Sequence, residues 1–221
     1  SGVLVVGPNR AFLRYIAAVL PALGEVSVEQ CTVDDLLNRV PVRGVDPPEV
    51  VALKHDARMA TVLARAAWSM IRRPVEELVI SDGSWRWRVA VEALRRIVDD
   101  VRRESPPYSV GRERVRARAV ALLQRQAEAR RGESPSESWL RAMGRHPAVR
   151  SFVDYVWPEL TPEGLVYSLL SDPARLATAA EGVLSAEEQK LLRWKRPPRT
   201  VRSARWSAAD ALLIDEAAGL L

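Results

Sequence analysis

Residues that bind soft metals or form disulfides are scarce in this chain of 221 residues, which has one cysteine, Cys31, and two histidines, His55 and His146. A single cysteine excludes a disulfide framework and is typical of a reducing compartment, so we expect a cytoplasmic protein. One cysteine and two histidines are too few for the usual zinc sites, and we therefore predict no metal site.

Long hydrophobic runs are also missing. No stretch of about 18 apolar residues occurs, so we expect no membrane-spanning segment, and the first residues, Ser1-Gly2-Val3, do not resemble a signal peptide. Lysine is rare, so arginine supplies most of the 33 positive charges, which exceed 28 negative charges and give a net charge of +5. A basic surplus makes nucleic acid or an acidic protein surface a candidate partner.

The first forty residues alternate between strand and helix patterns. Residues 3–6 are a valine-rich run without polar alternation, which predicts a parallel strand buried on both faces. A helical stripe follows over residues 10–20, and residues 26–31 predict a second strand. Thr32, with a carboxylate three positions later, predicts the start of another helix. This order predicts an α/β fold, and because two parallel strands are unstable alone, we expect them to belong to a larger sheet.

The turn after the first strand carries a candidate site. Gly7-Pro8-Asn9-Arg10 lies where a strand meets a helix start, and ligands of open α/β sheets collect at the carboxyl ends of strands. Asn9 and neighbouring backbone N–H groups could bind a phosphate there. The alternative is that the segment is only a tight turn and a helix cap.

The remaining residues, 41–221, predict helices separated by prolines and capping residues, with one hairpin. A linker over residues 41–48 precedes a long predicted helix over residues 49–73.

The hairpin is predicted over residues 76–89, with Asp82-Gly83 as its two-residue turn. That turn pairs Ile80 with Trp85, and it directs both Trp85 and Trp87 to the core. Exposed tryptophans could instead stack on nucleobases.

Two segments are rich in arginine. In the predicted helix over residues 111–131, an apolar stripe leaves several arginines on the opposite, solvated face, and acids offset part of the charge. This pattern favours an ordinary surface helix over a phosphate-binding face. The loop over residues 195–205 contains no acid and is the sharper candidate for binding nucleic acid or an acidic protein surface. Its cations are Lys195, Arg196, Arg199, Arg202 and Arg205.

Asp215 and Glu216 resemble the strand-borne Asp-Glu pair that holds Mg²⁺ in P-loop motors. The capping pattern from Ser207 to Asp210 predicts instead a helix through both residues. No phosphate-binding loop of the form G-x-x-x-x-G-K-[ST] occurs. We therefore interpret Asp215 and Glu216 as a look-alike of the metal motif.

Both ends of the chain resemble one family. The segment VLVVGPNRAFLRYI, followed by LPALGE, resembles the actinobacterial HelD-type proteins, which are UvrD-like superfamily 1 helicase relatives that act on RNA polymerase. Later segments match the family in order: VWPELTPEGLVYSLLSDPARL, LSAEEQKLL and WSAADALLIDEAAGLL. The hairpin and the arginine-rich helix between them are less distinctive.

The resemblance implies roles for particular residues. Residues 1–40 would be part of a RecA-like motor domain that lacks its phosphate-binding loop here, and residues 41–221 a family-specific insertion. Asn9 and Arg10 match the family's motif that touches a nucleic-acid backbone, and Thr32 opens the next motif. The family's histidine and aromatic residue after that threonine are replaced by Val-Asp-Asp, which argues against conventional single-strand tracking.

We thus expect an α/β edge of a RecA-like P-loop motor, followed by a mostly α-helical insertion with one β-hairpin. The resemblance implies that the full-length protein hydrolyses ATP or GTP with Mg²⁺ and dissociates or recycles stalled RNA polymerase. The insertion would contact the polymerase, with Lys195, Arg196, Arg199 and Arg202 as candidate contacts, and DNA or RNA as a further partner. The fragment itself is expected to hold no cofactor and to be inactive. The alternative is a DNA- or RNA-binding segment of a conventional superfamily 1 DNA helicase.

Overall fold

Helices dominate the structure, a computed structural model that describes residues 3–19, 28–32 and 40–221. The strands are β1 (Val3–Gly7), β2 (Val28–Thr32), β3 (Leu78–Asp82) and β4 (Trp85–Val89). The helices are α1 (Arg10–Val19), α2 (Pro48–Lys54), α3 (Arg58–Ser69), α4 (Val91–Glu104), α5 (Tyr108–Arg131), α6 (Glu137–Arg145), α7 (Pro147–Val156), α8 (Pro162–Ser171), α9 (Pro173–Ala180), α10 (Ala186–Leu192) and α11 (Ala208–Leu220), and a short 3-10 helix covers Val201–Ser203. The predicted helical fold with one hairpin is confirmed.

The chain divides into two units. The first comprises Ser1–Val62 and Pro162–Gly219, and the second comprises Leu63–Thr161 and Leu220–Leu221. None of the helices in the described ranges is long and apolar enough to cross a bilayer.

The first strands pair in parallel, with Gly7 opposite Thr32 at their carboxyl ends. Between them, α1 begins directly after Asn9, whose Oδ1 accepts a hydrogen bond from the Phe12 N–H at 2.9 Å. This bond satisfies one of the free N–H groups at the helix start. The helix predicted after Thr32 lies outside the described residues.

The environment of β1 differs from the prediction. Leu4 and Val6 are 49% and 44% exposed, although the strand is predicted to be buried on both faces. Within the described residues the sheet contains two strands, and they leave these side chains uncovered. Parallel strands normally have both faces covered. The apolar sequence of β1 fits that pattern, whereas β2 carries the polar residues Glu29 and Gln30.

The prediction of a single helix over residues 49–73 is wrong, because two helices, α2 and α3, occupy this segment. The break lies at Asp56, whose Oδ1 accepts a hydrogen bond from the Arg58 N–H at 2.8 Å and so begins the second helix. A short carboxylate that bonds nearby backbone N–H groups is favourable at a helix start and competes with helix continuation.

The hairpin forms, but its predicted register is wrong by two residues. Ile80 lies opposite Trp87 rather than Trp85, and Asp82 lies opposite Trp85. The turn is therefore Gly83-Ser84, where Gly83 has φ = 59°, a positive φ that a tight hairpin turn requires. Trp87 is buried as predicted, whereas Trp85, beside the turn, is 39% exposed.

Contacts of Asp82 account for the shift. Its Oδ2 accepts hydrogen bonds from Trp87 Nε1 at 3.1 Å, Trp139 Nε1 at 2.8 Å and Arg131 Nη2 at 2.8 Å. The Arg131 guanidinium also lies 5.1 to 5.5 Å from the ring centroids of Trp85, Trp87 and Trp139. Asp82 makes these bonds as the last paired residue of β3, and not as a residue of the turn. The hydrogen bond from Trp139 is the main reason that the pKa of the Asp82 carboxyl is lowered.

The long helix α5 supplies much of the core of the second unit. Its buried face repeats every four residues at Val115, Ala119, Leu123 and Ala127, which is the spacing of one helix face. One turn earlier, Gly111 lies against the buried ring of Trp157, and a Cβ on Gly111 would lie 2.3 Å from Trp157 Cζ2.

Candidate functional site: the basic loop and the motor motifs

The basic loop, residues 195–205, is held in place by the helices beside it. Before the loop, the Trp194 N–H donates a hydrogen bond to the Leu170 carbonyl at the end of α8, at 2.9 Å. Within the loop, Tyr167 Oη of the same helix donates to the Pro198 carbonyl at 2.7 Å. The loop therefore has a defined path over α8.

Aromatic rings close the base of the basic loop. The ring of Trp194 lies 6.0 Å from Tyr167 and 5.5 Å from Trp206, measured between centroids. After the loop, the Trp206 carbonyl accepts hydrogen bonds from the N–H groups of Arg43 and Gly44, both at 2.8 Å. Both ends of the loop are thus anchored by backbone hydrogen bonds and by ring packing.

A short 3-10 helix stiffens the middle of the loop. Thr200 Oγ1 accepts a hydrogen bond from the Ser203 N–H at 3.3 Å, and Ser203 Oγ accepts one from the Thr200 N–H at 3.1 Å. This reciprocal cap holds the backbone around Arg202.

The cations of the basic loop are exposed on this fixed backbone. Within the described residues, four of them make no ion pair and no side-chain hydrogen bond, and the fifth, Arg205, donates from Nη2 to the Arg43 carbonyl at 3.1 Å. The four free and exposed cations are Lys195, Arg196, Arg199 and Arg202. A charged group held without an internal partner is available to an external anion.

The arginines of α5 behave differently, as the surface-helix interpretation predicts. Arg114 and Arg118 both bind Glu104, the first at 2.8 Å, and the pKa of the Glu104 carboxyl is lowered, chiefly by the Arg118 hydrogen bond. Arg112 binds Asp154 and the Trp157 carbonyl. Most of these charges are therefore engaged within the protein.

The residues of the predicted nucleic-acid motif lie at one end of the β1–β2 pair. Thr32 is buried and ends β2, and Asn9 is exposed two residues beyond the end of β1. Because β1 and β2 are parallel, their carboxyl ends lie side by side, and Asn9 and Thr32 are therefore at the same end of the sheet. Asn9 caps α1, as the alternative interpretation expected, and the side chain of Arg10 lies outside the described part of the structure.

Asp215 and Glu216 lie on α11, which confirms the predicted helix. Leu213 and Ala217 of this helix are buried, Asp215 is partly buried and Glu216 is exposed. The pair does not end a strand, as a P-loop metal motif would require.

A buried ion cluster is the feature that the sequence analysis missed. Lys54 Nζ lies 2.7 Å from Asp46 Oδ2 and 2.6 Å from Asp210 Oδ1, and Ser207 Oγ donates to Asp46. Asp46 lies in the segment interpreted as a linker, and Asp210 was recognised only as part of a helix cap. The only available signal was Lys54 itself, a rare lysine in an apolar helix.

Comparisons with known proteins add no family assignment. No protein-family model matches the chain, and no curated protein matches it. Among residues 3–19, 28–32 and 40–221, no three histidine, cysteine or acidic side chains converge as a metal site would require. The basic loop and the resemblance at both ends of the chain are therefore the features that bear on function.

Proposed function

We propose that this chain is a fragment of a HelD-type, UvrD-like superfamily 1 motor protein that dissociates or recycles stalled RNA polymerase in the cytoplasm. In this proposal residues 41–221 are the insertion that contacts the polymerase. The observation that carries it is the basic loop, where Lys195, Arg196, Arg199 and Arg202 remain free on an anchored backbone. A preorganised cationic loop loses little conformational entropy when it meets an acidic surface.

The β1–β2 pair supports the motor part of the proposal. Strand β1, in which Leu4 and Val6 are exposed, has the apolar composition of a strand from the interior of a larger parallel sheet. We assign residues 1–40 to part of a RecA-like domain, with Asn9, Arg10 and Thr32 as its nucleic-acid motif.

Nucleotide chemistry does not fit the residues present. The chain has no phosphate-binding loop, and Asp215 and Glu216 lie on a helix. We assign ATP or GTP hydrolysis with Mg²⁺ to the full-length protein and no catalytic step to this fragment.

A pull-down with immobilised core RNA polymerase tests the proposal. The intact chain and a triple variant with alanine at Lys195, Arg196 and Arg199 are compared with a control triple variant at Arg96, Arg125 and Arg150, which are exposed arginines elsewhere. We expect the polymerase to retain the intact chain and the control and to lose the loop variant. Failure to retain the intact chain, or equal retention of both variants, contradicts the proposal.

In the alternative, a nucleic-acid-binding segment of a conventional helicase, the same four cations of the basic loop would bind phosphate groups. It predicts binding of single-stranded DNA or RNA that weakens steeply between about 50 and 200 mM salt, because phosphate contacts release counterions. Such binding, lost in the loop variant and combined with no retention by polymerase, would favour this alternative.

A further inference from the structure

The two outer edges of the β3–β4 hairpin differ in whether their backbone groups are hydrogen-bonded to the rest of the second unit. The edge of β4 is covered by side chains of α5. Gln126 Oε1 accepts a hydrogen bond from the Arg88 N–H at 3.3 Å, and its Nε2 donates to the Arg88 carbonyl. Arg130 Nη1 donates to the Arg86 carbonyl at 3.2 Å. The outer edge of β4 is therefore closed to another strand.

These contacts show which residues of β3 direct their backbone N–H and C=O groups away from β4. Arg88 and Arg86 point their backbone groups away from β3, so their partners across the ladder, Val79 and Ser81, must point theirs away from β4. Within the described residues, no hydrogen bond reaches the backbone of Val79 or Ser81. The outer edge of β3 is thus an open row of donors and acceptors, which is the template for an added strand.

A cavity lies beside the start of this open edge. Its volume is about 460 Å³, and it lies between residues 74–79 and α7, with Phe152 and Tyr155 among its apolar walls. Its lining includes two carboxylates, Glu76 and Glu77, and no cation. Glu77 is paired with Arg88 at 3.2 Å, whereas Glu76 makes no ion pair within the described residues.

We propose that the open edge of β3 and this cavity bind an extended peptide segment of a partner protein, with apolar side chains on one face and lysine or arginine on the other. The peptide backbone pairs with Val79 and Ser81, its apolar side chains enter the cavity, and its cations bind Glu76, the carboxylate that makes no ion pair within the described residues. Backbone pairing supplies affinity and the cavity supplies selectivity, as in other cases of strand addition. An acidic lining disfavours nucleic acid, and a net charge of +5 means that general attraction would not hold a basic peptide here.

A short fluorescent peptide of alternating lysine and valine is the probe, and its fully N-methylated version is the control. The control keeps the side chains and the charge but has no backbone donors. We expect saturable binding of the probe, at least about tenfold weaker binding of the control, and slower hydrogen exchange at the Val79 and Ser81 amides when the probe is bound.

Two variants of the protein test separately the contribution of backbone pairing and the contribution of charge to peptide binding. Val79→Pro removes an outward N–H that the hairpin does not use and should leave the fold intact, because edge strands tolerate proline; we expect it to abolish binding. Glu76→Gln should weaken binding several-fold and reduce its dependence on salt. If Val79→Pro fails to fold, the N-methylated peptide and the exchange measurement decide the question.

Equal binding of the two peptides, or bound probe without protection of Val79 and Ser81, overturns the proposal. Protection of these amides that rises with protein concentration in the absence of peptide also overturns it, because the edge would then pair with a second copy of the chain.

Discussion

Lys54 Nζ lies 2.6 Å from Asp210 Oδ1, with 1% of the lysine side chain and 2% of the aspartate side chain exposed, although 156 residues separate them. Asp210 also accepts a hydrogen bond from the Ser207 N–H at 2.9 Å through its second oxygen. The Asp210 carboxylate therefore completes the cap of α11, in which Ser207 Oγ accepts from the Asp210 N–H, and it neutralises the buried ammonium group at the end of α2. The pair ties two helices of the first unit together.

Replacing Lys54 with methionine should be strongly destabilising. The substitution leaves the carboxylates of Asp46 and Asp210 without their cation, and breaking a buried pair in this way costs about 3–5 kcal/mol. Urea unfolding measures the loss. The control is Lys190→Ala, which removes an exposed pair with Glu187 and should cost no more than about 1 kcal/mol; equal losses would contradict the structural role of the cluster.

Replacing Asp82 with asparagine should destabilise the second unit in a pH-dependent way. The carboxylate accepts three hydrogen bonds, and losing its charge should cost about 2 kcal/mol at neutral pH. Because its pKa is lowered in the folded state, this contribution is complete above about pH 4 and is lost as the pH falls through the folded-state value. Unfolding curves should therefore show that the difference in unfolding free energy between protein and variant narrows as the pH falls below about 4, and a constant difference would refute this account.

Two glycine substitutions in helices should have opposite effects. Gly111→Ala places a Cβ 2.3 Å from the ring of Trp157 and should destabilise by about 1–3 kcal/mol through overpacking. Gly144→Ala in α6 meets no atom closer than 3.9 Å and should stabilise by up to about 1 kcal/mol, because alanine loses less backbone entropy in a helix. Thermal unfolding distinguishes the two, and equal shifts would contradict the packing at Gly111.

The chain should not bind nucleotide. Titration of fluorescent ATP and GTP analogues in the presence of Mg²⁺ should show no saturable binding, because Asp215 and Glu216 lie on a helix and a phosphate loop is missing. Asp215→Asn should leave that result unchanged. Micromolar, Mg²⁺-dependent binding that Asp215→Asn abolishes would show that the pair is a metal motif after all.

Features that depend on residues close in sequence were predictable. The capping pattern of Ser207 and Asp210 predicted α11, and hence the helical position of Asp215, since a capping bond spans three residues. The presence of the hairpin was predicted in the same way, from the turn residues between two short strands. For these features neighbouring residues supply most of the determining interactions.

Tertiary structure decided which charges are engaged and which are free. The cluster around Lys54, the hairpin register imposed by Asp82, and the pairing of Arg114 with Glu104 depend on partners that only packing brings together. The same packing leaves Lys195 without a partner while its loop is held in place. By itself, therefore, the sequence determined the helices, the hairpin and the excess of arginine; the fold determined where that excess remains available, because an ion pair depends on distance in space and not along the chain.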